Sequence, residues 1–290
     1  MRKVDGMKLG DKAGIVCCSN GQTQADKEKV DRLERTLLEI GFVPVLSEYL
    51  YEKGSVFSGS PEERAGALMR CYRDSEIKAI FDLSGGDIAN ELLLYLDYQV
   101  IGESGKAFWG YSDLTTIING IYAKTGVSSV LYQIKNLIYR NAELQTGNFL
   151  STVLEGGNQL FDFQYNFIQG SRIRGIVVGG NIRCLLKLAG TEYWPDMKEK
   201  VLLLEGYSGL LPQMTTYLCQ LKQLGVFDKI NGIILGTFTQ MEKEQITPTM
   251  EELIKQYVGQ TIPIVKTYEI GHGSNSKAIV IGKEIELIKG

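Results

Sequence analysis

His272 is the single histidine of this chain. Imidazole is the side chain whose ordinary pKa lies near neutral pH. Any histidine-dependent proton transfer must therefore use His272. It lies in the glycine-flanked segment Glu269–Ser274, of sequence EIGHGS. One histidine also excludes a zinc site built from several of them. A structural histidine in a solvated or hydrogen-bonded loop is the alternative to a catalytic one.

A nucleophile could come from Ser112, which stands between the apolar run Ala107–Gly110 and a predicted helix. At such a turn the hydroxyl could project from the strand end, and the amide of Asp113 could donate to an oxyanion. The segment is not a G-x-S-x-G elbow, since Leu114 occupies the last glycine position. The simpler interpretation is a helix N-cap, with the serine side chain bonded to an amide two or three residues further on.

An orienting carboxylate could come from Glu205, which closes the apolar run Val201–Leu204. It could accept the Nδ1 proton of His272 and stabilise the imidazolium that forms when Nε2 takes the proton of a serine. Together with Ser112 this set suffices for a serine hydrolase, whatever its order along the chain. A solvated glutamate at a strand end is the alternative.

Other sequence features bear on cofactors and metals. Gly85 and Gly86 follow a predicted strand and could bring backbone amides to a substrate oxygen, or could only form a tight turn. They lack the spacing of a dinucleotide or P-loop fingerprint, so we expect no nucleotide cofactor. Asp113, Glu205 and His272 could in principle bind a metal together, but their context matches no common metal signature, and we predict none.

The five cysteines include the adjacent pair Cys17 and Cys18. Their odd number and the lack of metal-ligand spacing predict free thiols in a reducing compartment. A cysteine nucleophile in this pair would need a base nearby, and buried cysteine is more often a small apolar residue.

Composition narrows the class of protein. The 290 residues are 44% hydrophobic and 22% charged, with a net charge of −3, which predicts one large or two moderate α/β domains and no general attraction to nucleic acid or an anionic membrane. The segment Met1–Gly6 lacks the apolar core of a signal peptide, and no run reaches the roughly 18 apolar residues of a membrane span. We therefore expect a cytoplasmic protein that acts on a small molecule or peptide.

Strands and helices alternate in the first half of the predicted structure. Strands are predicted at residues 13–18, 42–46 and 78–83, with Pro44 favouring a sheet edge or a strand end over the sheet centre. Ser60, followed by proline and two glutamates, predicts a helix that runs to about Tyr72. The apolar residues between Ile88 and Leu96 suggest another helix. This alternation is typical of a mostly parallel sheet covered on both faces.

The second half is predicted to be a smaller mixed α/β domain. We place the boundary so that residues 1–160 form the first domain and residues 161–290 the second. Near the end, Ala278–Ile281 and Glu284–Leu287 flank Gly282 and Lys283, which is the spacing of a two-residue hairpin.

These residues also resemble the LD-carboxypeptidase family of serine peptidases, which includes the microcin C immunity hydrolases. The most specific match is Gly110–Thr115, which is similar to the nucleophile motif G-[YF]-S-D-x-T. The positions of Glu205 and His272 match the other two members of the family's triad. Further segments resemble family motifs across nearly the whole chain: Leu9–Val16, Gly59–Ala65, Ala79–Gly86, Asn90–Leu93, Tyr95–Tyr98, Gly179–Asn181, Gly190–Thr191 and Tyr193–Asp196.

The resemblance implies roles for these residues. Ser112 would be the nucleophile, His272 the general base and then acid, and Glu205 the residue that orients it. The amides of Gly86 and Asp113 would form the oxyanion hole. It also implies a Rossmann-like N-terminal domain joined to a smaller C-terminal α/β domain, with the site at their junction and a homodimer as the expected assembly.

Four positions depart from the family pattern: the turn that starts at Cys17 and Cys18, Ser84 before the glycine turn, Gly206 after the glutamate, and Tyr132 with Gln133 beyond the nucleophile helix. They leave the three site residues unchanged and bear on substrate identity. Trp194 could stack on an adenine ring or simply pack beside Pro195, and Asn90 lies in a segment similar to the immunity-type branch.

The predicted activity is hydrolysis of an amide or peptide bond through an acyl-enzyme. The leading substrate is the terminal L,D-peptide bond of a muropeptide, with release of D-alanine. A carboxamide-linked aminoacyl-nucleotide of the microcin C type is the alternative within this class. A non-catalytic protein that binds a small ligand on the same scaffold is the alternative from another class.

Overall fold

The computed structural model describes residues 7–290, which form two six-stranded sheets with helices around them. The predicted absence of a signal peptide concerns Met1–Gly6, which lie outside the described residues. The strands are β1 (Lys12–Val16), β2 (Val43–Leu46), β3 (Ile77–Asp82), β4 (Ala107–Gly110), β5 (Ser129–Leu131), β6 (Asn166–Gln169), β7 (Arg172–Asn181), β8 (Lys200–Gly206), β9 (Gly232–Phe238), β10 (Ile264–Lys266), β11 (Ile279–Ile281) and β12 (Glu284–Ile288). The α-helices are α1 (Lys27–Glu39), α2 (Pro61–Arg73), α3 (Tyr98–Ser104), α4 (Thr115–Thr125), α5 (Ala142–Val153), α6 (Ile182–Leu186), α7 (Leu211–Gln223), α8 (Thr239–Lys243) and α9 (Met250–Lys255).

The first sheet is mostly parallel, with the strand order β11-β5-β4-β3-β1-β2. Strands β1 to β5 run parallel, and β11 pairs antiparallel with β5. The order reverses between β1 and β3, and open α/β sheets bind ligands in the crevice beyond the carboxyl ends of the strands at such a reversal. Pro44 lies on the edge strand β2, as predicted.

The second sheet is mixed, with the strand order β12-β7-β8-β9-β10-β6. Its four central strands are parallel, while β12 and β6 pair antiparallel at the two edges. This confirms the predicted α/β class, with a mostly parallel Rossmann-like sheet followed by a mixed one. The proposed boundary at residue 160 stays a prediction.

Three apolar clusters hold the sheets and helices together. One cluster joins the two sheets, because it contains Ile80 and Phe108 of the first sheet and Val177 and Leu203 of the second. A second cluster lies under α1 and α5, and a third lies under α7 and α9. This shared cluster fixes the position of one sheet relative to the other. A site built from residues of both sheets requires such a fixed arrangement.

Local sequence explains where α2 begins and why a second predicted helix takes a tighter form. Ser60 and Glu63 form a capping box at the start of α2, as predicted. The helix predicted between Ile88 and Leu96 is instead a 3-10 helix, Ala89–Tyr95. Its buried residues are Ala89, Leu92 and Leu93, so it contacts the core mainly at a spacing of three, which suits the tighter helix.

The predicted C-terminal hairpin is wrong. The strands β11 and β12 do flank Gly282, but β11 pairs with β5 of the first sheet and β12 pairs with β7 of the second. The turn bonds to β7 instead of closing on itself, since the amide of Gly282 donates to the carbonyl of Val177 and the amide of Val177 donates to the carbonyl of Lys283. The chain therefore crosses here from one sheet to the other.

Within residues 7–290, no helix combines the length and the apolar character that a membrane crossing requires.

Gly282→Ala tests the crossing between the sheets. Gly282 has φ +86°, and an added Cβ would lie 2.6 Å from Cδ2 of Tyr122. Gly105→Ala is the matched control, because Gly105 has φ +67° and open space around its Cβ position. In both variants, alanine in the left-handed conformation should lower the free energy of unfolding by about 1–2 kcal/mol. We expect overpacking to lower the free energy of unfolding of Gly282→Ala by about 1–3 kcal/mol more than that of the control. Urea unfolding measures both variants, and equal losses would contradict tight packing at the crossing.

Candidate active site

Ser112 lies in a sharp turn directly after β4. Its φ is +54°, a left-handed conformation that costs a residue with a side chain about 1–3 kcal/mol. A 3-10 turn, Ser112–Leu114, then leads into α4. The Ser112 side chain caps neither of these helices, so the N-cap interpretation is wrong. The backbone instead directs the hydroxyl toward the loop after β10, which carries His272.

A continuous chain of hydrogen bonds links Ser112, His272 and Glu205. Oγ of Ser112 lies 3.2 Å from Nε2 of His272, and Nδ1 of His272 lies 2.7 Å from Oε2 of Glu205. Because an ionised carboxylate can only accept, the proton belongs on Nδ1, and the Nε2 lone pair faces the serine. The arrangement can therefore remove a proton from Ser112.

Glu205 is a fully buried carboxylate and not the solvated strand end considered above. It lies near the end of β8, and its Oε2 accepts from both His272 and the hydroxyl of Tyr111, which is 3.1 Å away. Its other oxygen, Oε1, has no hydrogen-bond partner among the described residues. The negative charge is therefore held by two donors on one oxygen.

Two tyrosines pack on the His272 ring. The Tyr111 ring is buried and lies edge-on to the imidazole, with centroids 4.6 Å apart, and its hydroxyl is 3.1 Å from Nδ1. Burial, followed by the charge of Glu205, raises the pKa of the Tyr111 phenol well above its ordinary value, so it remains a donor. Tyr207 covers the ring from solvent, with centroids 4.9 Å apart and 59% of the residue exposed.

The glycine turn after β3 lies beside Ser112. A Cβ built on Gly85 would be 3.9 Å from Cβ of Ser112. Gly86 has φ +122°, and a Cβ there would be 2.2 Å from the side-chain amide of Asn20, which itself accepts from the amide of Asp87. Only glycine fits this approach. The turn is thus held where its amides can face a group bound at the serine, and the oxyanion role of Gly86 and Asp113 stays a prediction.

Asp113 uses its carboxylate to fix the turn. This fully buried group accepts from Oγ of Ser19 at 2.6 Å, from the amide of Ala89 at 2.9 Å and from Nζ of Lys187 at 2.5 Å. Its side chain is therefore committed to the turn and not available to a metal shared with His272. Over the described part of the chain, no group of three or more acidic, histidine or cysteine side chains is placed to hold a metal ion.

Helix α6 connects the second sheet to the same turn. Nζ of Lys187 also donates to the carbonyl of Asp87 at 2.7 Å, and Nη2 of Arg183 donates to the carbonyl of Gly86 at 2.9 Å. Arg183 forms an ion pair with the side chain of Asp87 as well. Two cations from the second half of the chain thus bind carbonyl groups of the glycine turn in the first half. The geometry of this turn therefore depends on both halves of the chain.

The loop that carries His272 is held by residues that follow α4. Oγ of Ser276 donates to the carbonyl of Gly271 at 2.5 Å, and Nε2 of Gln145 donates to the carbonyl of Ser276 at 3.0 Å. The hydroxyl of Tyr132 donates to the side chain of Gln145 at 2.9 Å. One of the departures from the family pattern, Tyr132, therefore supports the histidine loop through Gln145.

The remaining predicted residues lie outside this hydrogen-bonded group. Asn90 is exposed and follows Ala89, whose amide Asp113 binds. Trp194 is half-buried against the cluster shared by the two sheets and the cluster under α7 and α9. Cys17 and Cys18 are buried, and burial raises the pKa of both thiols, which opposes a nucleophilic role.

Sequence reasoning missed four residues of the site: Tyr111, Arg183, Lys187 and Tyr207. Tyr111 directly precedes the nucleophile candidate, and Tyr207 follows Glu205 by two positions, so proximity along the chain could have indicated both. Arg183 and Lys187 are four apart, which places them on one helix face. Their acceptors lie in the other half of the chain, and no local pattern indicates that contact.

Two family models match the chain. The model of the LD-carboxypeptidase N-terminal domain matches residues 13–132, and the model of the LD-carboxypeptidase C-terminal domain matches residues 174–287. The first region contains Ser112, and the second contains Glu205 and His272.

Individual relatives cover nearly the whole chain. YocD of Bacillus subtilis is 29% identical over 98% of this chain and 96% of its own. A protein of the same species named a probable murein peptide carboxypeptidase is 26% identical over 97% of this chain and 89% of its own. The microcin C7 self-immunity protein MccF of Escherichia coli is 24% identical over 97% of this chain and 91% of its own.

Solved structures share the fold. An MccF-like protein of Bacillus anthracis superimposes with a TM-score of 0.85 at 27% identity, over 99% of this chain and 95% of its own. MccF in complex with glutamyl sulfamoyl guanosine superimposes with a TM-score of 0.86 at 22% identity, over 97% of this chain and 94% of its own.

Lys187→Met tests whether the ion pair with Asp113 holds the turn. Removing the cation leaves a fully buried carboxylate with neutral donors only, and we expect a loss of about 3 kcal/mol in the free energy of unfolding. Lys124→Met is the matched control, because Lys124 pairs with the exposed Glu192. This variant should lose far less free energy of unfolding. Denaturant unfolding measures both, and equal losses would show that the Asp113 pair is not structurally important.

Proposed function

Because the chain belongs to the LD-carboxypeptidase family, we propose that it is a serine carboxypeptidase that cleaves the terminal L,D-peptide bond of cytoplasmic muropeptides and releases D-alanine. The observation that carries this proposal is the hydrogen-bond chain from Ser112 through His272 to the buried Glu205. Proteins that only bind a ligand do not need a serine held at positive φ against an imidazole.

In the first half of the proposed reaction, Nε2 of His272 takes the proton of Ser112 as Oγ attacks the carbonyl carbon of the scissile bond. The imidazolium that forms keeps its Nδ1 proton on Glu205. The negative oxygen of the tetrahedral intermediate accepts from the amides of Gly86 and Asp113. Collapse of the intermediate breaks the C–N bond, and His272 returns its proton to the amine of departing D-alanine.

In the second half, water hydrolyses the acyl-enzyme. His272 removes a proton from the water while the hydroxide oxygen bonds to the acyl carbon, and the same proton returns to Oγ of Ser112 as the ester breaks. The shortened peptide leaves with a new carboxylate. Tyr207 covers one face of the imidazole throughout, which limits the access of bulk water to His272.

A second substrate class is an aminoacyl-nucleotide of the microcin C type. The similarity to the MccF-like protein of Bacillus anthracis, which is 27% identical to this chain, supports it. The exposed ring of Tyr207 beside His272 and the half-buried Trp194 offer aromatic faces on which a base could stack, and Asn90 offers an exposed amide. The chemistry at Ser112 would be unchanged.

Ser112→Ala tests the nucleophile and the substrate together. Wild type and variant are incubated in parallel with a muropeptide tetrapeptide and a processed microcin C analogue, and mass spectrometry follows the products. We expect wild type to release D-alanine and Ser112→Ala to release none, because the acyl-enzyme cannot form. Ser75→Ala, which alters an exposed serine, should behave as wild type.

The other outcomes of this experiment discriminate between the alternatives. Cleavage of the nucleotide conjugate alone would identify an immunity-type hydrolase. Equal cleavage by wild type and Ser112→Ala would show that Ser112 is not the nucleophile. If both proteins leave both substrates intact, the proposed substrates are wrong and a small-ligand binding protein becomes the better interpretation.

Glu205→Gln tests the orienting carboxylate. Glutamine has nearly the same shape but cannot stabilise an imidazolium, and its amide can turn the imidazole to the wrong tautomer. In a serine triad this type of change lowers kcat by about 10⁴-fold. Steady-state kinetics on the cleaved substrate should show that loss, while Glu192→Gln at an exposed position should keep wild-type kcat. A loss below about tenfold would contradict the role assigned to Glu205.

A further inference from the structure

Tyr111 is the second donor to the carboxylate that orients His272, and the proposed function assigns it no step. We propose that Tyr111 is a positioning residue, whose hydroxyl fixes Glu205 and limits how strongly that carboxylate holds the histidine proton. This inference rests on the proposed function in so far as His272 is the base of the reaction. Its test can be made without substrate.

The geometry places the hydroxyl at the center of the interaction between Glu205 and His272. It lies 3.1 Å from Oε2 of Glu205 and 3.1 Å from Nδ1 of His272, while those two atoms are 2.7 Å apart. The Tyr111 ring is 4% exposed and packs edge-on against the imidazole. A side chain buried at this position has little freedom to move, so its hydroxyl constrains both partners.

The carboxylate depends on this donor. Glu205 is completely buried, and Oε1 has no hydrogen-bond partner among residues 7–290, so His272 and Tyr111 supply the two side-chain donors to its charge. Without the phenol, His272 would be the one remaining side-chain donor to this buried carboxylate among the described residues. The charge would then be less dispersed and would attract the imidazolium more strongly.

Among residues 7–290, no other side chain in contact with the histidine can replace the phenol. The side chains that face His272 are Ser112 at Nε2, Glu205 at Nδ1, and the rings of Tyr111 and Tyr207. Tyr207 contacts the ring by its face, and Ser112 lies on the opposite nitrogen. The ion pairs in the neighbouring turn, Asp113 with Lys187 and Asp87 with Arg183, are each internally neutral.

The sign of the effect follows from these contacts. Removing the hydroxyl strengthens the attraction between Glu205 and protonated His272, so the imidazole should hold its second proton to higher pH. At a given pH near the midpoint, less neutral imidazole would be available as the base. The acidic limb of the kcat/KM profile should therefore move to higher pH.

Tyr111→Phe measured by NMR is the direct test, because the single histidine gives unambiguous imidazole signals. We expect the titration midpoint of His272 to rise by about 1–2 pH units, since a hydrogen bond to a charged group is of that magnitude. With substrate, kcat should fall about tenfold while KM stays within about twofold. Tyr98→Phe is the matched control: it removes a hydroxyl that donates to the carbonyl of Leu93, and should leave the midpoint unchanged.

An unchanged or lowered midpoint in folded Tyr111→Phe would overturn the proposal, whether or not the protein cleaves either substrate. Loss of cleavage in the wild type, with the midpoint shifted in the variant, would instead refute the proposed function alone. If Tyr111→Phe does not fold, site-specific replacement of Tyr111 by 3-fluorotyrosine keeps the hydroxyl and makes it a stronger donor. The midpoint should then fall, and a rise would again overturn the proposal.

Discussion

The organisation of this molecule depends on one buried carboxylate. Glu205 is fully enclosed at the end of β8, and an ionised group without donors could not remain there. Its donors come from elsewhere, because Tyr111 follows a strand of the first sheet and His272 belongs to a loop after β10. The charge is thus tolerated only when the two sheets are packed together, and the same packing brings Ser112 to the histidine. The apolar cluster shared by the sheets keeps that arrangement in place, together with Arg183 of α6 and Lys187 directly after it.

Much of this could be predicted from the sequence where the signal is local. Alternating apolar strands and helices predicted the fold class, and the capping box at Ser60 predicted the start of α2. The catalytic candidates could be chosen because each combines a reactive side chain with a strand end or a glycine-flanked loop. The hairpin at Gly282 failed because spacing gives the position of a turn but not the partner of each strand, and both partners lie more than a hundred residues earlier. Tyr111 and Lys187 were missed for a similar reason, since their importance comes from contacts between distant segments.

The departures from the family pattern have local structural partners. Ser84 donates to the buried Asp82 and accepts from the amide of Ser19, so it links the ends of β1 and β3. Tyr132 holds Gln145, which in turn binds the segment after His272. Gly206 lies against Phe238, and a Cβ there would be 3.1 Å from that ring. These positions shape the supports around the site and leave the hydrogen-bond chain at Ser112 unaltered.

The crossing at Gly282 has a consequence for the order in which the protein is made. Strands β11 and β12 complete the edges of two different sheets, yet they follow every other strand along the chain. During translation β5 and β7 therefore keep an unpaired edge until the residues up to Ile288 have been synthesised. Pairing over such long sequence separations is slow, and open edges invite association with other chains. Both halves of this protein thus complete their sheets together, so a nascent chain cannot bring Ser112, Glu205 and His272 together one domain at a time.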